Sequence, residues 1–428
     1  MQRIRMSLPH YRANGWEPVV LTIEDRYQDG VREPELLATL PPEVRIIRLP
    51  AIPVRAARWC GLGNTGLRML PYLFWHGSRL LRKEKFDLLF FSNTQFITFP
   101  LGRIWKSWFD VPYVIDIQDP WRTDYYERSS SRSPPGGWKY QFARLQAWLL
   151  EGWSYRQVGA VISVSPSYLS DLRTRYPWFS RVITDVIGFG GSREDLMHAS
   201  AHLMAEPLFK RDKGEIHLLY TGASGPVMPH SLCVLFDGFR LYREKWPEKA
   251  ARLRFHFVGT SYVAPGQGKP SVLPVAEGCG VADCVEEIPH RIGHLDAMRW
   301  QRQADVLLLP GSSDLAYSPS KVYPYFLTGR PILGLVFRTS VMEQLLDDLG
   351  CAFMVRFAET ESKDDAYAAL FTFFNLVIAG FPAGSLRARN EELFERTFLA
   401  EELTRRQCAL FNKVVVQANP GSATLAVV

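Results

Sequence analysis

Short, nearly continuous apolar runs alternate along this chain with longer stretches in which apolar residues recur every three or four positions. Runs at 18–22 and 44–49 come first, and runs at 86–92, 112–117 and 160–164 follow, bounded by turn-forming residues. Runs of that length without polar alternation fit parallel strands covered on both faces. Positions 66–85, 139–157 and 166–176 carry the helical period instead. A second series starts beyond a polar, irregular stretch. It predicts strands at 216–220, 253–258, 305–309 and 332–336, and helices at 231–245, 296–303, 320–328, 341–348 and 364–379. A helical stretch at 393–416 closes the pattern. Strand–helix alternation repeated in this way predicts two doubly wound α/β domains. The expected boundaries are a first domain at 1–197, a linker at 198–214 and a second domain at 215–385. A C-terminal helix at 386–418 returns to the first domain, and a disordered tail covers 419–428.

The start of the chain departs from the usual order. A doubly wound domain opens on a strand and a glycine-rich turn. This chain opens on what reads as the first helix, at 2–13, followed by the run at 18–22. The expectation is that the first strand is missing.

Composition narrows the class. Of 428 residues, 47% are hydrophobic and 22% charged, which excludes wholesale disorder and collagen-like chains. No apolar run approaches the roughly 18 residues of a membrane-spanning helix, so none is expected. Residues 1–6 lack an apolar core, so no secretory signal is expected and the location reads as cytoplasmic. The six cysteines have no paired spacing and read as free thiols of a reducing compartment. Cys279 and Cys284 lack a second Cys or His pair nearby, so no metal site is expected. Charge is uneven: residues 1–200 hold 26 Lys and Arg against 19 Asp and Glu, and the remainder is nearly balanced. The first half is therefore the half suited to an anionic partner.

Candidate chemistry clusters in two places. In the second domain, Gly222, Ala223, Ser224 and Gly225 form a turn between a strand and a helix, where backbone amides can approach phosphates. Ser318 or Ser320 can cap the helix that follows, with Pro319 fitting its first turn. Lys321 would add a full charge at that helix start, which suits a diphosphate. His290, next to Arg291, precedes the helix at 296–303 and is a candidate contact to a nucleotide base. In the first domain, Asp116 and Asp119 end a strand, where this kind of fold collects its ligands. Asp119 could orient or deprotonate an acceptor hydroxyl. Plain structural readings stand beside each: a solvated lysine, an ordinary turn, an aspartate capping Asp-Pro-Trp, a surface histidine.

Two other features need weighing. Gly61-Leu-Gly-Asn-Thr-Gly66 matches the dinucleotide fingerprint in letters, but it follows no strand and no acidic residue stands at the required distance, so no cofactor is expected. Residues 55–85 hold seven basic residues and one acidic, interleaved with Trp59, Tyr72, Phe74 and Trp75, and Arg103-Ile-Trp-Lys-Ser-Trp-Phe109 repeats the character. Such a mixture suits an anionic membrane surface, or core aromatics flanked by solvated arginines. No nucleic-acid-binding motif is present.

Phe255-His-Phe-Val-Gly259, then Gln303-Ala-Asp-Val-Leu-Leu-Leu-Pro310, then the stretch from Ser318-Pro-Ser-Lys321 to Gly329-Arg-Pro331 occur in that order. Together they resemble the nucleotide-sugar-binding domain of GT-B-fold glycosyltransferases, specifically family 4-like enzymes. Gly15-Trp-Glu-Pro-Val-Val-Leu-Thr22 and Ile115-Asp-Ile-Gln-Asp-Pro-Trp121 are similar to segments of that family's acceptor domain. The resemblance implies an α/β GT-B architecture: two Rossmann-like doubly wound domains facing a cleft. It also implies a transferase that moves a sugar from a nucleotide-sugar donor to a glycan or lipid-linked acceptor in cell-surface polysaccharide synthesis. Such an enzyme would retain configuration, need no metal, and sit in the cytoplasm or peripherally at the inner membrane face. Where the family usually places two glutamates, this chain has Ala316 and Pro324, and a proline cannot hold ribose hydroxyls. A non-catalytic GT-B binding protein and a GT-B sugar-nucleotide 2-epimerase are the rival readings.

Overall fold

The structure, a computed structural model, describes residues 2–28, 33–59, 63–122, 137–201, 209, 214–224, 228–261, 263, 266–315, 317, 319–358 and 361–418. The chain forms two compact units. One comprises the described parts of 1–29, 40–189 and 400–428, and the other those of 30–39 and 190–399.

In the first unit, β1 (Val19–Ile23) pairs in parallel with β2 (Arg45–Leu49). A separate parallel sheet runs in the order β3 (Leu89–Ser92), β4 (Tyr113–Ile117), β5 (Ala160–Ser163), β6 (Ile183–Val186). Every residue of β4 is buried, as its unbroken apolar pattern requires. One core lies against Phe91, Ile115 and Val161, and another against Val114, Ala160 and Ile162. Leu21, Ile47 and Leu49 join the first core, while Val20 and Ile46 join the second. The β1–β2 pair is therefore flanked by the same two cores as the larger sheet, yet no ladder hydrogen bond joins them. A doubly wound order would place one more strand between β1 and β3. No strand among the described residues fills that place.

The expected helix at 393–416 is two helices, Glu391–Phe398 and Ala400–Ala418, because Leu399 between them is extended (φ −72°, ψ 142°). The break coincides with the change of unit. Phe394 stacks on Phe326 of the second unit at 4.0 Å. Leu403, Phe411 and Val414 belong instead to the core over β4 and β5. Tyr11 donates to Gln407 (2.8 Å), and Gln407 donates to Ser7 (3.2 Å), which ties this last helix to the opening segment.

The second unit holds a six-stranded parallel sheet. Its strands are β7 (Ile216–Thr221), β8 (Leu253–Val258), β9 (Val285–Ile288), β10 (Val306–Pro310), β11 (Ile332–Phe337) and β12 (Ala352–Phe357). Their spatial order is β12-β11-β10-β7-β8-β9. The order reverses at β7, so the carboxyl ends of β7 and β10 mark the switch point where such sheets bind ligands. Helices Pro229–Lys245 and Asp364–Ile378 bury Phe236, Phe239, Leu370 and Phe374 in the main core. The unit also includes the helix Arg193–Ala201, where an irregular linker is expected from 198. Residues 202–208 and 210–213 of that linker, and the tail at 419–428, lie outside the described residues. The short 3₁₀ segment Pro34–Thr39 joins this unit through charge: Glu35 pairs with Arg299 at 2.9 Å, and Glu33 accepts from the His294 amide.

Candidate functional site

The carboxyl end of β7 gathers most of the second unit's candidate residues. Gly222 follows the strand with φ +123°, a conformation that favours glycine, and its N–H donates to Val258 at 2.8 Å. Ser224 donates its N–H to Thr260 at 2.9 Å, and its hydroxyl lies 2.6 Å from that of Ser271. Ala223 accepts a hydrogen bond from the buried Tyr220 hydroxyl (2.8 Å). Lys321 reaches this turn from the other direction. A Cβ on Gly222 would stand 2.1 Å from Lys321 Cε, so the lysine stem lies directly against the Gly222 backbone. Its Nζ sits 5.2 Å from the centre of the Tyr220 ring, a favourable cation–π placement.

The turn is braced from beneath. The Thr221 N–H donates to the Tyr325 hydroxyl (2.9 Å), and Gln301 Nε2 donates to Thr221 Oγ1 (2.8 Å). Tyr325 is wholly buried, and burial pushes its phenol pKa well up, so it stays protonated. Neither Tyr325 nor Gln301 stands out in the sequence, because each acts through a tertiary contact. Gly259 (φ +75°) ends β8, and a Cβ there would lie 3.8 Å from the Gly222 nitrogen. Gly311 ends β10 so tightly that a Cβ would meet Leu335 O at 2.5 Å. His290 is half-buried in the loop after β9, and Ile292, two residues on, lies against Gly259.

One expectation needs correction, and one departure is accommodated. Ser320 does not cap the helix: the helix runs Val322–Thr328, Lys321 holds the cap position in helical conformation, and no side chain caps it. With seven residues, this helix adds little dipole, so the lysine charge rather than a helix terminus is the attraction for an anion. Pro324 does not distort the helix. It is the third helical residue, where the N–H has no partner within the helix in any case. Ser318 and Gly225 lie outside the described residues.

One further group escapes sequence reading. Glu287 at the end of β9 accepts from the amides of Ser271 (2.9 Å), Val272 (3.0 Å) and Leu273 (2.7 Å), and from the Thr260 hydroxyl. The chain's own carboxylate thus satisfies the amides that open the short helix Leu273–Gly278, and a ligand phosphate would have to compete with it.

The first unit separates its two aspartates. Asp116 on β4 is fully buried. It accepts from Ser92 Oγ (2.6 Å) and Gln118 Nε2 (3.2 Å), and its Oδ2 stands 2.9 Å from Arg3 Nε. Arg3, itself buried, also donates to Ile187 O at 2.7 Å. Asp119 is exposed, two residues past the strand. Of the two, only Asp119 is placed to meet a hydroxyl from solvent. In the fingerprint-like stretch, Asn64 caps the helix Thr65–Lys83 by accepting from the Leu67 amide, and Gly66 donates to Gln95 Oε1 (2.8 Å). Among the described residues, no group of three or more His, Cys, Asp and Glu side chains could hold a metal ion. Five described cysteines are free.

Residues 2–188 match the family model described as "Glycosyl transferase 4-like domain". The fold is that of solved GT-B glycosyltransferases. An α,α-trehalose 6-phosphate synthase from Burkholderia multivorans superposes with TM-score 0.53 at 12% identity, covering 82% of this chain and 75% of that one. A UDP-forming α,α-trehalose-phosphate synthase from Burkholderia xenovorans, solved with glucose-6-phosphate, gives TM-score 0.50 at 12% identity, with 79% and 76% covered. No curated protein matches the sequence. The chain thus has the fold of these solved structures, and its residues 2–188 are similar to a glycosyl transferase 4-like domain.

Proposed function

We propose that the chain transfers a hexosyl group from a nucleotide-sugar donor to a glycan or lipid-linked acceptor, retaining configuration and using no metal, at the cytoplasmic membrane face during polysaccharide synthesis. The observation that carries this reading is Lys321 folded against the Gly222 backbone at the switch point of the second sheet. A diphosphate set there would meet the Lys321 ammonium group and the Ala223 amide, while the Gly222 and Ser224 amides, held by Val258 and Thr260, fix the shape of the turn, and Ser320 stands beside Lys321. His290 would flank the base. Charge building on the departing diphosphate in the transition state is then stabilised by groups already in position. Asp119 would orient or deprotonate the acceptor hydroxyl, and Asp116, locked by Arg3, would hold the loop that carries it.

Calorimetry with uridine, guanosine and thymidine diphosphate sugars tests the assignment. A charge-assisted contact is worth about 1.5–3 kcal/mol, so Lys321→Ala should weaken donor binding roughly 10- to 150-fold. Pro324→Glu should tighten it by supplying a ribose acceptor on an unbroken helix. Donor binding indifferent to Lys321→Ala would move the site elsewhere. No binding by either protein would favour the non-catalytic reading.

A further inference from the structure

The helix Trp138–Tyr155 leaves a large apolar face uncovered. Phe142, Leu145, Leu149 and Trp153 follow helical spacing along one side, with Trp148 beside them, and all five are exposed. Trp148 is the most exposed, at 60%. Solvated helices do not ordinarily present an unbroken stripe of this kind. The stripe continues onto neighbouring elements. Arg103 of the helix Pro100–Phe109 stacks on the Trp153 ring at 4.5 Å and donates to its carbonyl at 3.0 Å. On the same helix, Trp108 is exposed and meets Phe74 of the helix Thr65–Lys83 edge to face at 5.5 Å. Next to Phe74, Trp75 is exposed, with Arg79 over its ring at 5.5 Å.

Charge decides the occupant. Besides Arg68, which is buried, these three helices hold seven Lys and Arg and a single acidic residue, Glu151. Glu151 is buried and paired with Arg175 at 2.6 Å, so it offsets nothing at the surface. A second copy docking by two-fold symmetry would set this cationic face against itself. An anionic lipid surface complements it: tryptophans partition to the headgroup level, leucine and phenylalanine enter the acyl boundary, and the arginines meet phosphates. We propose that the helix Trp138–Tyr155, with Trp75, Trp108 and the basic residues around them, is a docking face for an anionic bilayer. The helix lies in the interface and does not span it, in keeping with the absence of any membrane-crossing helix among the described residues. The proposal rests on the membrane part of the function above and is independent of donor binding.

Co-sedimentation with phosphatidylcholine vesicles, and with vesicles of phosphatidylcholine and phosphatidylglycerol, tests it. The protein should pellet with the anionic vesicles only. Trp148→Glu with Leu149→Glu should abolish pelleting. Replacing Arg79, Arg82 and Lys83 by Ser should weaken partition roughly a hundredfold, at about fivefold for each basic residue. The substituted side chains are exposed, so circular dichroism and donor calorimetry should be unchanged. No binding, equal binding to both vesicle types, or binding indifferent to the glutamates overturns the proposal. So does a dimer in light scattering that the glutamates dissociate while vesicles recover nothing. Vesicle binding retained in a protein that binds no donor would sink the transferase reading and leave the docking face standing.

Discussion

Burial keeps the His256 imidazole neutral. On β8 its Nε2 lies 3.0 Å from His217 Nδ1 and its Nδ1 lies 3.1 Å from Glu286 Oε2. Desolvation lowers its pKa below the ordinary value, and the nearby Glu286 charge offsets only part of that. The unfolded chain binds the proton near pH 6.5, whereas the folded chain binds it only at lower pH. Stability from this site is therefore complete above about pH 6.5 and declines as pH falls below it. Urea midpoints should hold steady from pH 8 to 7 and drop toward pH 5, and His256→Gln should flatten part of that drop. Parallel pH profiles for the two proteins would remove His256 as a cause. Burial also pushes the Cys351 and Cys408 thiols up to about 12, which leaves them protonated and unreactive near neutrality.

Among the elements, the opening helix Gln2–Ser7 matters most for its size, because it carries Arg3 to Asp116. Removing one partner of a buried ion pair strands the other charge, at a cost of about 3–5 kcal/mol. Arg3→Met should lower the urea midpoint accordingly, and Arg3→Met with Asp116→Asn should recover part of the loss. An unchanged midpoint would show that Asp116 is solvated in solution. This pair is invisible in the sequence because it is made by tertiary approach: Arg3 sits in no motif, and the segment around Asp116 does not reveal its partner. The strands show the same limit. Central strands such as β4, β7 and β10 are covered on both faces and read as apolar runs. β6, β9 and β12 were missed, and all three are sheet edges, where Asp185, Glu286 and Arg356 can reach solvent. At the site, the Gly222 turn and Lys321 were legible from glycine placement and charge. The bracing by Tyr325 and Gln301, and the carboxylate of Glu287, were not.

At the scale of the molecule, sequence order and spatial units are interleaved. Pro34–Thr39 belongs with the second unit, and Ala400–Ala418 returns to the first. Phe411 anchors the return, packing against Tyr11, Trp16 and Phe90. Phe411→Ala should cost about 3–5 kcal/mol, by lost transfer energy and a residual cavity. Hydrogen exchange followed by mass spectrometry should show faster exchange in β4 and β5, with β7 and β10 unaffected. Equal acceleration in both units would show that they unfold as one cooperative block.

The interrupted sheet of the first unit bears on solubility. A two-stranded parallel ribbon has little stability of its own, and among the described residues no ladder hydrogen bond ties β1–β2 to the larger sheet. It is the part of the unit that breathes at least cost. Among the described residues, no neighbouring strand uses the main-chain donors and acceptors along the free edges of β1 and β3. When the ribbon opens, those edges become templates for a strand from another molecule. Crowded solutions of this protein should therefore self-associate through main-chain pairing along these two strands, at a rate set by how often the ribbon opens.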